Sequence, residues 1–130
     1  DALGHAAGDE VLRVVGARLR SFFRSGDLVA RIGGDEFCAL IKNVDESRLQ
    51  ALADRAREAL QAPIKREGKD LVIGCSIGVM MARREDALGL EDLMGRADTA
   101  LYTAKRTRSG TVFWRAEIGA MKADGQGSGR

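Results

Sequence analysis

"RIGGDEFCAL", residues 31–40, places two glycines and two adjacent carboxylates, Asp35 and Glu36, between apolar runs. Neighbouring surface acids repel each other. Either the pair is the solvated tip of a turn, or something positively charged sits between two strands. Leu28 to Ile32 and Phe37 to Ile41 read as short strands, and Gly33-Gly34-Asp35-Glu36 between them has the length and composition of a hairpin connection. Upstream, Val11, Leu12, Val15, Leu19 and Phe22 recur at helical spacing, with Asp9 and Glu10 expected in the first turn, where acids favour the helix dipole. Downstream, Leu49, Leu52, Ala53, Ala56 and Leu60 form a second helical stripe, which ends before Pro63.

The remaining chain continues the alternation. Leu71, Ile73, Cys75, Ile77 and Val79 alternate through "LVIGCSIGVMM", residues 71–81, and predict one strand. Leu90, Leu93, Met94, Ala97, Leu101 and Ala104 predict a third helix, followed by a short strand at "TVFW", residues 111–114. From Asp124 the tail "DGQGSGR" has no apolar residue and predicts disorder. The order is that of an α+β, ferredoxin-like βαββαβ domain with an antiparallel central sheet and flanking helices, lacking its first strand. That strand is expected either upstream of Asp1 or from another chain. The domain is expected over 1–114, with 115–130 as an extension.

Bulk properties narrow the classes. The chain has 130 residues, which suits one domain with one core. Hydrophobic residues make up 45% and charged residues 31%, as in ordinary globular proteins. A net charge of +2 is too small for a DNA-binding surface, so any nucleotide contact must come from individually placed residues. No apolar run approaches the roughly 18 residues needed to span a bilayer, and no signal segment is visible. Cys38 and Cys75 lie in apolar strand-like runs and read as buried thiols in a reducing, cytoplasmic setting.

Four segments occur in order: "GHAAGDEVL" (4–12), "RIGGDEF" (31–37), "CSIGV" (75–79) and "RADTALYTAK" (96–105). Together they resemble the GGDEF domains of bacterial diguanylate cyclases, from Asp1 to about Trp114. The resemblance implies a palm-like sheet related to nucleotidyl cyclases and polymerases. It implies an enzyme that condenses two GTP into cyclic di-GMP with loss of pyrophosphate, working as a homodimer in which each protomer presents one GTP. An upstream sensory or receiver module is implied as well, with the full protein cytoplasmic or membrane-attached.

The same resemblance assigns residues. Asp35 matches a metal-ligand position and Glu36 a position needed for activity, for Mg²⁺ or Mn²⁺; hard cations of this kind prefer carboxylate oxygens. Gly33 and Gly34 lack Cβ atoms, so the backbone can approach triphosphate oxygens. Asp9 matches a guanine-reading aspartate, since one carboxylate accepts from N1–H and N2–H₂ together; a dipole partner is the plainer reading. His5 in "GHAAGD" suits capping or packing better than catalysis. Lys105 matches a triphosphate-contacting lysine. Arg24 and Asp27 in "RSGD" match an inhibitory RxxD site for cyclic di-GMP, with Arg55 on the next helix as a further contact. Arginine can fork onto guanine O6 and N7 there.

The sequence also departs from the family pattern. Where the family carries an arginine four residues after the lysine, this chain has Ser109, with Arg108 one residue earlier as a possible substitute. Asp1 aligns with the second residue of an Asn-Asp pair, and the family's first metal-binding aspartate has no counterpart, so the 130-residue chain is expected to be catalytically impaired. Two other readings stand beside a cyclase. One is a nucleotide receptor that no longer catalyses; the other is a ferredoxin-like interaction domain.

Overall fold

A computed structural model describes residues 4–33 and 36–118 of the chain. They fall into two compact units, described in turn: one within residues 1–74 and one within 75–130.

In the first unit, helix α1 (Gly4–Phe22) packs against α2 (Glu46–Leu60). Ala7, Val15 and Leu19 of α1 and Ala53, Ala56 and Leu60 of α2 are buried, with Ile64 beyond. Burying such side chains is worth about 1.5–3 kcal/mol for each leucine or valine, and the small alanines let the two backbones approach. Asp45 caps α2: its carboxylate accepts from the Arg48 N–H at 2.8 Å. Helix α1 starts earlier than its stripe predicts. Buried Ala7 carries the helix through Gly8, whose helical penalty is about 1 kcal/mol. No acid therefore lies in its first turn, and the dipole reading of Asp9 falls away, because that effect fades beyond the first turn.

The expected hairpin is present. Strands β1 (Leu28–Gly33) and β2 (Glu36–Leu40) pair antiparallel, with Leu28 opposite Leu40, Arg31 opposite Phe37 and Gly33 opposite Glu36. The register shifts between Arg31 and Gly33.

A second hairpin was not expected. Strand β3 (Ile64–Arg66) pairs with β4 (Lys69–Leu71) across Glu67 and Gly68, whose φ angles are 52° and 77°. Two left-handed residues in a two-residue loop match the right-handed twist of a hairpin, and glycine adopts such a φ at no steric penalty.

The single strand expected over 71–79 is corrected to two. Residues 69–71 pair with β3, while Ile77–Val79 form β5 and pair elsewhere; 72–76 carry no strand assignment. Alternating hydrophobicity marks which side chains turn inward, but a strand also needs a neighbour for its backbone groups, and here the two ends have different neighbours. Val72 is accordingly 66% exposed. Cys38 and Cys75 are half-buried thiols, less enclosed than expected, and burial pushes the Cys38 thiol up.

In the second unit, β5 (Ile77–Val79) pairs in parallel with β6 (Thr111–Phe113), and the ladder extends through Trp114 N–H to the Val79 carbonyl at 2.7 Å. Helix α3 (Leu90–Thr107) packs on both strands, burying Ala100 and Ala104 beside Val79. Gly78 is where strand and helix meet. A Cβ there would collide with the backbone of Ala97 and Leu101, which only glycine avoids. The helix ends on Arg108, whose φ of 55° is left-handed.

Helices and short ladders mixed in this order are an α+β fold, as expected. Among the described residues the ladders are three pairs, two antiparallel and one parallel.

Candidate functional site

Asp9 lies on the wall of a cavity of about 300 Å³ in the first unit. Leu12, Arg13, Gly16 and Arg20 of α1 share that wall, and Arg31 and Phe37 face them from the hairpin. The helical residues recur on one face. Arg31 and Phe37 are register partners, so their side chains emerge on one side of the sheet. The cavity therefore combines one carboxylate, three guanidinium groups, an aromatic ring and a leucine. Such a lining suits a flat, polar, hydrogen-bonding ligand. Arg13 is tied to Glu10 at 3.8 Å, and Glu10 in turn holds Arg66 of β3. Sequence reasoning singled out Asp9 alone. The spacing 9, 13, 16, 20 on one helix was the available signal for Arg13 and Arg20.

Gly33 and Glu36 close the described end of the hairpin, opposite each other, with Glu36 half-buried. Gly34 and Asp35, the expected phosphate-approach and metal positions, lie outside the described residues. Among the described residues no three His, Cys, Asp or Glu side chains converge to hold a metal. Glu36 is thus the one described acid of the expected pair. His5 falls in α1, but its side chain is outside the described residues.

Arg24 and Asp27 form a closed pair. The Asp27 carboxylate accepts from the Arg24 backbone N–H at 3.0 Å, from Nε at 3.4 Å and from a terminal nitrogen at 3.2 Å. The Asp27 side chain is only 3% exposed, whereas that of Arg24 is 61% exposed. The guanidinium also donates to the Lys42 carbonyl at 3.2 Å. These bonds, the Arg24 side chain first, hold the Asp27 carboxyl below its ordinary range. Arg55 of α2 lies over the Phe22 ring at 5.6 Å, two residues before Arg24 in the chain.

Lys105 and Arg108 belong to the second unit. Lys105 is exposed in the last turn of α3, and Arg108 is the exposed cap residue that follows. That unit has its own cavity of about 480 Å³, where Arg96 stacks over Trp114 at 4.3 Å beside Met80 and Met81. No helix among the described residues is long and apolar enough to cross a membrane.

A family model described as "Diguanylate cyclase, GGDEF domain" matches residues 1–111. Diguanylate cyclase DgcP of Pseudomonas aeruginosa is 39% identical over 107 residues, covering 82% of this chain and 16% of that protein. Cyclic di-GMP phosphodiesterase NbdA of the same species is 37% identical over 105 residues, covering 81% of this chain and 13% of that protein. The chain thus spans a small part of either relative. A solved structure of P. aeruginosa TpbB (YfiN) comprising only its GGDEF domain superposes with a TM-score of 0.86 at 35% identity, covering 95% of this chain and 73% of that one.

Proposed function

Because the chain belongs to the GGDEF family of diguanylate cyclase domains, we propose that it binds GTP with its guanine in the cavity beside Asp9 and serves cyclic di-GMP synthesis. The observation that carries this reading is the position of Asp9. It is exposed on the cavity wall, away from the first turn of its helix, next to apolar Leu12. An ionised carboxylate there accepts from both N1–H and N2–H₂ of guanine; adenine offers no such pair.

In the proposed reaction the 3′-oxygen of one GTP attacks the α-phosphorus of the other. The bond to the β-phosphate oxygen breaks, pyrophosphate leaves, and the hydroxyl proton goes to solvent or a base. Repetition in the opposite sense closes the ring, which requires two protomers face to face. Gly33 and Gly34 of the first unit admit phosphate oxygens; Lys105 and Arg108 are, separately, the candidate phosphate contacts of the second unit. Asp35 and Glu36 are the residues that would hold Mg²⁺ or Mn²⁺, which would supply charge neutralisation at the reacting phosphate. Arg24, Asp27 and Arg55 form the site where product would bind and restrain the reaction.

The test is to incubate the full-length protein, not the 130-residue chain alone, with GTP and Mg²⁺ and separate the products by chromatography. Cyclic di-GMP and pyrophosphate in a 1:2 ratio, lost in Asp35→Ala with GTP binding retained, are the expected result. A second reading is favoured by the 37% identity to a protein named a phosphodiesterase: a GGDEF domain that binds nucleotide without joining it. GTP binding with no product in the full-length protein would select that reading.

A further inference from the structure

The cavity beside Asp9 holds a second polar feature at its other end. Gly16 is buried, and a Cβ on it would lie 3.5 Å from both terminal nitrogens of Arg20 and 3.6 Å from Phe37 Cε2. Arg20 therefore folds back along α1, following the tilt of helical side chains toward the N-terminus, and sets its guanidinium level with Gly16 and near the Phe37 ring. Any larger residue at position 16 would narrow the gap between that guanidinium and the ring.

The spacing then decides what fits. Asp9 and Gly16 are separated by about 10.5 Å along the helix axis, at 1.5 Å per residue. Two hydrogen bonds of about 2.9 Å, one at each end, leave roughly 5 Å between the acceptor and the donor groups. That is about the span of guanine from its N2 amino group to N7. Of the cavity arginines, Arg13 is engaged by Glu10, whereas among the described residues no carboxylate is ion-paired with Arg20. Arginine is the side chain whose fork matches O6 and N7 of guanine together.

We propose that Arg20 is a specificity-determining residue that donates to O6 and N7 of the guanine whose N1–H and N2–H₂ face Asp9. The inference rests on the reading of this cavity as the guanine site. It deepens that reading, because the base is then recognised along two edges and N7 becomes part of the recognition. Arg20 itself is exposed, so its replacement leaves the core untouched.

The test uses GTP and 7-deaza-GTP, which differ only in the N7 acceptor, with dissociation constants from calorimetry in Mg²⁺. The unaltered protein is expected to bind 7-deaza-GTP about tenfold more weakly than GTP, one lost hydrogen bond of the fork. Arg20→Ala is expected to bind GTP more weakly and the two nucleotides equally, while Asp9→Ala keeps the tenfold preference at lower affinity. Equal binding of both nucleotides by the unaltered protein, with Asp9→Ala still impaired, overturns the role of Arg20 and leaves the guanine site standing. GTP binding that is indifferent to Asp9→Ala removes the guanine site, and this inference with it.

Discussion

Arg18 of α1 reaches the far end of α2, where its guanidinium donates to the Ala62 carbonyl at 2.7 Å. The same group also donates to Pro63 at 3.0 Å and to Ala59 at 3.3 Å. A positive charge thus sits on carbonyls at and just beyond the C-terminal end of α2, where the helix dipole is negative. Arg18→Met is expected to lower unfolding free energy by about 2 kcal/mol, the value of hydrogen bonds to a charged group. Arg18→Lys should recover little of it, because a point charge cannot fork over several carbonyls. Urea denaturation of the variants measures both.

Gly78 gives the sharpest packing test. Gly78→Ala drives a methyl group into the backbone of α3 at Ala97 and Leu101, and no side chain can swing away to relieve it. The expected loss is about 3 kcal/mol or more, at the upper end of overpacking effects. It should appear as a fall in the denaturation midpoint, and a value within 0.5 kcal/mol would show that strand and helix are less closely joined.

Arg108 separates stability from binding. It occupies a left-handed cap position that glycine adopts without strain. Arg108→Gly is expected to stabilise the protein by about 1 kcal/mol. If the side chain substitutes for the arginine missing at Ser109, the same change weakens GTP binding severalfold. Thermal melts and calorimetry on one variant report the two effects independently.

Asp27 predicts a defined pH dependence. Its carboxyl is held low in the folded chain, chiefly by the Arg24 side chain. The sign follows by linkage: the unfolded chain takes up the proton first, so the contribution is fully present above the ordinary aspartate value of about 3.9 and is lost as pH falls through the lowered folded value. Asp27→Asn should therefore be less stable than the parent at pH 6, with the difference shrinking below about pH 4. Denaturant midpoints followed from pH 6 to well below about pH 4 supply the measurement.

Much of the arrangement was legible in the sequence, for identifiable reasons. The β1–β2 hairpin was readable because apolar runs flank a Gly-Gly-Asp-Glu connection. The three helices were readable because their stripes are long. The Glu67–Gly68 hairpin was hidden because its strands, "IKR" and "KDL", are short and mostly charged. The continuous alternation over 71–79 misled because pairing partners are long-range and leave no trace in local periodicity. For the site, single motif positions such as Asp9 could be picked out. The arginines around it became visible only when α1 and the hairpin were set opposite each other. Likewise, the RxxD spacing suggested two ligand-facing groups, whereas the structure turns one of them inward.

That inward turn makes the Arg24–Asp27 motif asymmetric toward any visitor. A molecule seeking a cation meets a largely exposed guanidinium already held by Asp27 and the Lys42 carbonyl, with little ordering left to do. A molecule seeking the anion must evict three resident donors from a sheltered oxygen pair. Encounter would therefore begin on the arginine, and substituting the aspartate would act first by letting that arginine wander.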